Sequence, residues 1–114
     1  VDATVAEAMN QTAASLPYGQ SELASTELTL VSGDSIGVPH LGECPASLEC
    51  VKHSIIEIGS NRLVIGIVQK VHVREGIFDP ESLHLDVSAY QPIGRMASPN
   101  WYCQTDQLFE MIRP

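Results

Sequence analysis

Four histidines and three cysteines are the side chains of this 114-residue sequence best suited to metal or nucleophile chemistry, and Cys44, Cys50 and His53 form their nearest group. On a regular strand, residues an odd number apart point to opposite faces, so Cys50 and His53 cannot share one tetrahedral ion. Buried thiols and surface histidines are the favoured reading, and no metal site is expected. Cys44 or Cys103 could serve as a nucleophile beside a histidine, but no sequence signature specifies such a pairing. Gly59-Ser60-Asn61-Arg62 and Gly94–Ser98 lack the glycines at fixed offsets that cradle phosphates, so Walker and Rossmann binding are unsupported.

The segment from Pro92 to Tyr102 is more distinctive, because Gly94, Arg95, Asn100, Trp101 and Tyr102 crowd into a short stretch that reads as an irregular loop. Such a loop can bind a flat ligand. Arginine offers a planar cationic fork, and the aromatic rings offer stacking surface and a phenolic hydrogen bond. The competing reading, favoured on the residues alone, is a packed tail with Trp101 and Tyr102 anchored in the core.

Charge narrows the partners. Six basic against fourteen acidic residues give a net charge of −8. The basic residues are scattered singly from Lys52 to Arg113, whereas a nucleic-acid surface or an anionic membrane needs them clustered. A small anionic ligand is still compatible, since one or two positioned arginines or backbone amides can hold a phosphate. The longest apolar stretch, Leu63–Val68, is far shorter than the roughly 20 residues that span a bilayer. An odd number of cysteines without dense spacing points to a reducing, cytoplasmic compartment.

Several elements must position these residues. Hydrophobic residues at 44% and charged residues at 18% suit one globular domain with a packed core. Thr4-Val5-Ala6-Glu7 has the form of a capping box and predicts a short N-terminal helix with Val5, Ala8, Met9 and Thr12 on one stripe. Pro17 and Gly19 end it. A helical turn at Glu22–Ala24, a strand near Leu28–Val31 and a loop over Ser32–Leu41 follow.

A long hairpin then runs from Ala46 to Gly59, turns at Gly59-Ser60-Asn61, and returns over Arg62–Arg74. Simple alternation puts Leu48 and Cys50 on one face of its first strand, with Val51, His53 and Ile55 on the other. In the second it puts Leu63, Ile65, Ile67, Val71 and Val73 opposite Val64 and Val68. Gly66, in mid-strand, marks a bend or a close backbone approach. One further strand is expected at Leu83–Val87, for about four in all. So few strands cannot close a barrel, and the open edges call for a partner subunit or a further segment.

The sequence resembles the flavin-reductase-like family of FMN-binding split barrels. The resemblance is carried by Glu43-Cys44-Pro45-Ala46-Ser47-Leu48-Glu49-Cys50, by Leu63-Val64-Ile65-Gly66 with Val68 and Val71-His72-Val73, by Pro92-Ile93-Gly94-Arg95 with Tyr102, and by Phe109–Pro114. It extends upstream through Ala6–Thr12, Pro17–Gly19 and Val38-Pro39. The family's Asn- and Ser-rich N-terminal strands, which hold much of the FMN, have no match here. The resemblance therefore implies a mainly β chain with a short N-terminal helix, an incomplete split β-barrel, residues 1–114 being the C-terminal portion of one such domain.

The resemblance implies FMN bound at a homodimer interface, with a separate N-terminal segment completing the barrel and NAD(P)H passing hydride to the flavin. Arg95, Asn100 and Tyr102 are the expected cofactor contacts, and no residue stands out as a general acid or base. Where family members carry Gly-Gly between that Arg and Tyr, this chain has Met96-Ala97-Ser98-Pro99-Asn100-Trp101, which alters how closely backbone can approach a flavin. Two alternatives stand beside the oxidoreductase: a non-catalytic flavin-binding or electron-carrier protein, and a structural module that has lost flavin binding.

Overall fold

Ala46–Ile58 and Asn61–Val73 pair along their whole length as an antiparallel hairpin, turning where Gly59-Ser60 interrupts the β-branched run. These are β3 and β4 of eight strands among the described residues; the others are β1 (Leu30–Val31), β2 (His40–Leu41), β5 (Phe78–Asp79), β6 (His84–Leu85), β7 (Ile93–Ala97) and β8 (Trp101–Gln104). They form four antiparallel two-stranded ladders, β1 with β2, β3 with β4, β5 with β6, and β7 with β8. The computed structural model describes residues 1–86 and 88–114, so Val87, the end of the strand expected from Leu83, lies outside them. The chain divides into two units, Val1–Glu27 with Glu75–Pro114, and Leu28–Arg74.

The strand count exceeds the expected four because β1, β2, β5 and β6 are two residues long, too short to show any alternation in sequence. The loop expected over Ser32–Leu41 contains β2, which pairs Val31 with His40 and Leu30 with Leu41.

Two bulges reset the faces of the long hairpin. Glu49 pairs with Lys70 and Cys50 with Val68, leaving Gln69 as an extra residue on β4; Lys52 pairs with Gly66 and Ser54 with Ile65, leaving His53 extra on β3. Opposed residues share a face, and an extra residue shifts every later side chain to the other side. Val71 and Val73 therefore join Val68 opposite Leu48, Ala46 and Cys50, correcting the face set by plain alternation. By the same shift Lys70 and His72 share the face of Glu49 and Val51. Gly66 does mark a close approach: a Cβ there would stand 3.0 Å from the Cβ of Cys50.

At the N-terminus the helix α1 spans Ala6–Gln11, preceded by a 3₁₀ turn at Ala3–Val5. The capping-box reading is corrected. Asp2, not Thr4, is the cap, its carboxylate accepting the Thr4 amide at 3.0 Å and the Thr4 hydroxyl at 2.5 Å. Asp2 also bridges Pro92, joining this turn to the start of β7. A second 3₁₀ turn at Glu22–Ser25, capped by Ser21, realises the helical turn expected there.

The packed core expected from composition is small. Val5 and Ile77 are the buried hydrophobic residues among those described, with Pro45 fully enclosed. Leu48, Ile56, Leu63, Val64, Ile67 and Val71 of the long hairpin are each about half exposed, because pairing within a two-stranded ladder leaves much of each side chain uncovered.

Candidate functional site

The stretch from Pro92 to Tyr102, read as an irregular loop, is a β-hairpin of β7 and β8 with Met96 as a bulged residue. Arg95 and Tyr102 are cross-strand partners. The Arg95 guanidinium donates from Nη2 to the Pro99 carbonyl at 3.2 Å and from Nη1 to the Tyr102 hydroxyl at 3.4 Å, with its carbon 5.7 Å from the ring centroid. A cation in that position is drawn to the negative face of the ring. The Tyr102 hydroxyl in turn donates to Oδ1 of Asn10 on α1 at 3.4 Å. Trp101 is 67% exposed, so it does not anchor a core.

Tyr102 and Asn100 open onto a cleft of about 680 Å³ within the first unit. Ala3, Ala6, Met9 and Ile93 supply an apolar wall; Asn10, Asn100, Tyr102 and Gln104 supply amide and hydroxyl groups. A volume within the usual range of about 300–1,000 Å³, with a few polar groups on an apolar lining, suits a flat heteroaromatic ligand. No cationic side chain lines the cleft among the described residues, and Glu7 adds negative charge. The lining thus suits a flat, uncharged ring and not a phosphate. Of the three expected contacts, Asn100 and Tyr102 lie on the cleft; Arg95 stands behind Tyr102 and fixes it.

The second unit holds a polar cluster that the sequence reading did not single out. Glu49, 2% exposed, accepts the backbone amides of Asp34, Ser35 and Ile36 at 2.8, 2.7 and 3.0 Å, and its Oε1 lies 2.5 Å from Nε2 of His72. The Asp34 amide above all, and then the histidine, hold its pKa down to about 2. The loop can wrap so tightly because Gly33 has no side chain; a Cβ there would meet the Val38 carbonyl oxygen at 2.6 Å. Lys70 and Asp34 form an ion pair beside it, which lowers the pKa of Asp34 and raises that of Lys70. The rings of His40 and His72 stack at 4.4 Å with 22° between their planes.

No sequence spacing reveals this cluster, because His40, Glu49 and His72 come from β2, β3 and β4 and meet through the Gln69 bulge. The one available signal is a carboxylate, Glu49, in a strand rich in β-branched residues. Cys44, Cys50 and His53, the group weighed for a metal, are not the residues brought together.

The family model for the flavin reductase like domain matches residues 1–94. An uncharacterized protein of Deinococcus radiodurans is 34% identical over 114 residues, covering 99% of this chain and 50% of its own. Among solved structures, the 2-nitrobenzoate 2-nitroreductase of Pseudomonas fluorescens superposes with a TM-score of 0.88 at 30% identity, over 100% of this chain and 56% of that one. A split barrel domain protein of Shewanella frigidimarina gives 0.84 at 20% identity, over 100% of this chain and 58% of that one, a likeness of fold. The chain spans about half the length of the curated relatives it matches.

Proposed function

The chain belongs to the flavin reductase-like family, and from that premise we propose that it serves an FMN-dependent oxidoreductase in which NAD(P)H delivers hydride to the flavin. The observation that carries this reading is the cleft beside β8, where Tyr102 is held between Arg95 and Asn10 and faces an apolar wall. Bound FMN would supply the redox chemistry, accepting hydride and passing electrons onward. The chain's own residues bind and orient. Ala3, Ala6, Met9 and Ile93 would exclude water from the ring, while the Asn100 amide and, as an acceptor, the Tyr102 hydroxyl would offer hydrogen bonds to it.

Arg95 acts at one remove. Its two hydrogen bonds and its position over the aromatic ring limit the motion of Tyr102, so it is a positioning residue. The phosphate of FMN finds no cation on this cleft and is assigned to groups beyond it. The exposed apolar faces of β3 and β4 favour cover by further strands and by a second copy in a homodimer, since contiguous apolar surface of that extent is rare on a monomer. A cytoplasmic setting accords with three free thiols.

The test is flavin binding by the natural gene product followed by anaerobic mixing with NADH and with NADPH. Stoichiometric FMN and rapid bleaching by one donor are expected. Absence of flavin after reconstitution would overturn the reading, and bound flavin that neither donor bleaches would convert it to an electron carrier.

A further inference from the structure

Three strands of the second unit bring His40, Glu49 and His72 together, with one ring nitrogen of each histidine and one carboxylate oxygen all within 4.8 Å of one another. Glu49 is oriented without help from either histidine, because three backbone amides grip it. Amides that fix a carboxylate in this way are the usual outer support of a metal ligand. Nδ1 of His40 is buried and has no hydrogen-bond partner among the described residues. A buried nitrogen left without a partner is costly, which singles out His40 as the member whose environment is incomplete.

We propose that His40, Glu49 and His72 bind one divalent first-row transition-metal ion, with Zn²⁺ the best match. Two imidazoles and a carboxylate are a recognised three-ligand set for zinc with a fourth position left open. Bonds of about 2.0–2.2 Å put the ligand atoms of a tetrahedral ion roughly 3–3.5 Å apart, so small side-chain rotations that widen the 2.5 Å approach of Glu49 and His72 and bring the three ligand atoms, now within 4.8 Å, to even spacing complete the site. The ion takes the place of the hydrogen bond between Glu49 and His72. Its open position faces a cleft of about 210 Å³ that His40 and His72 line with Ser47, which gives a path of entry. Cys44 lines that cleft too but is outside the ligand group.

The rival reading is a purely structural tie in which His72 salt-bridges Glu49 and His40 only stacks on it. His40 separates the two, because its removal leaves every contact of Glu49 in place. The natural gene product, stripped with a chelator, would be titrated with Zn²⁺ by calorimetry and with Co²⁺ by visible absorption. One ion per chain is expected, with visible Co²⁺ bands, affinity about tenfold or more weaker in H40A, and no change in C44S or H53A. Absence of stoichiometric binding, or binding undiminished in H40A, overturns the proposal, as does binding lost in C44S or H53A. Should H40A not fold, Co²⁺ added to the unaltered protein decides: paramagnetic shifts confined to the rings of His40 and His72 support the site, and shifts at His53 or His84 refute it.

Discussion

Glu49 and His72 meet at 2.5 Å because Gln69 is an extra residue between the Lys70 and Val68 pairings, which turns His72 onto the face of Glu49. Deleting Gln69 should make the ladder regular while keeping Lys70 opposite Glu49 and His72 opposite Ser47, so the contact between Glu49 and His72 should survive. We expect stability within about 1 kcal/mol of the parent by urea unfolding. Exchange protection at the amides of Asp34, Ser35 and Ile36 should persist with it. Loss of that protection would show that Gln69 is not the extra residue that sets the register.

The reach of the sequence can be judged residue by residue. The long hairpin was legible, because β-branched alternation on either side of Gly59-Ser60-Asn61 fixes both strands to within about a residue. Its bulges were not, since a single extra residue leaves no mark on composition. Asn100 and Tyr102 stand out through the crowding of Arg, Asn and aromatic residues between Pro92 and Tyr102, and Tyr102 also through the resemblance; both line the cleft, while the β-hairpin that carries them is obscured by Pro99 and Gly94. His40, Glu49 and His72 escaped notice because their meeting depends on three strands and a register shift.

Two glycines should tolerate alanine badly, for different reasons. At Gly66 the added methyl meets the Cβ of Cys50 at 3.0 Å, and at Gly33 it meets two backbone oxygens at 2.6 and 2.7 Å. Overpacking of this kind costs about 1–3 kcal/mol, with G33A at the upper end because backbone cannot step aside as a side chain can. Denaturation midpoints of the two variants check the order, and a G33A no less stable than the parent would contradict it.

Asp2 caps the turn that brings Ala3 to the cleft. D2A should lose about 1 kcal/mol and speed amide exchange at Thr4, whereas D2N, which keeps an acceptor, should lose much less. Equal losses in both variants would argue that charge and not capping matters.

Acid should weaken the fold through its hydrogen-bonded carboxylates. The Thr29 hydroxyl and amide lower the pKa of Glu43 below 4.5, Ser82 lowers Asp79 below 3.8, and Ser88 lowers Asp86 below 3.8. A group with a depressed folded pKa contributes stability above its unfolded value and loses it as pH falls through the folded one. Stability should therefore be flat down to about pH 5 and decline below the ordinary carboxylate range. T29V should be less stable than the parent near neutrality and converge on it in acid. A deficit as large in acid as at neutral pH would refute the assignment.

The central claim is that the cleft beside β8 holds the flavin ring, and FMN titration of the natural gene product beside its N100A, Y102A and R95A variants tests it most directly. Tight binding by the parent, a loss of about tenfold in Y102A, and smaller losses in N100A and R95A are expected, since an aromatic contact and a hydrogen bond each contribute about 1 kcal/mol. FMN bound equally well by Y102A and N100A would place the flavin elsewhere and contradict the claim.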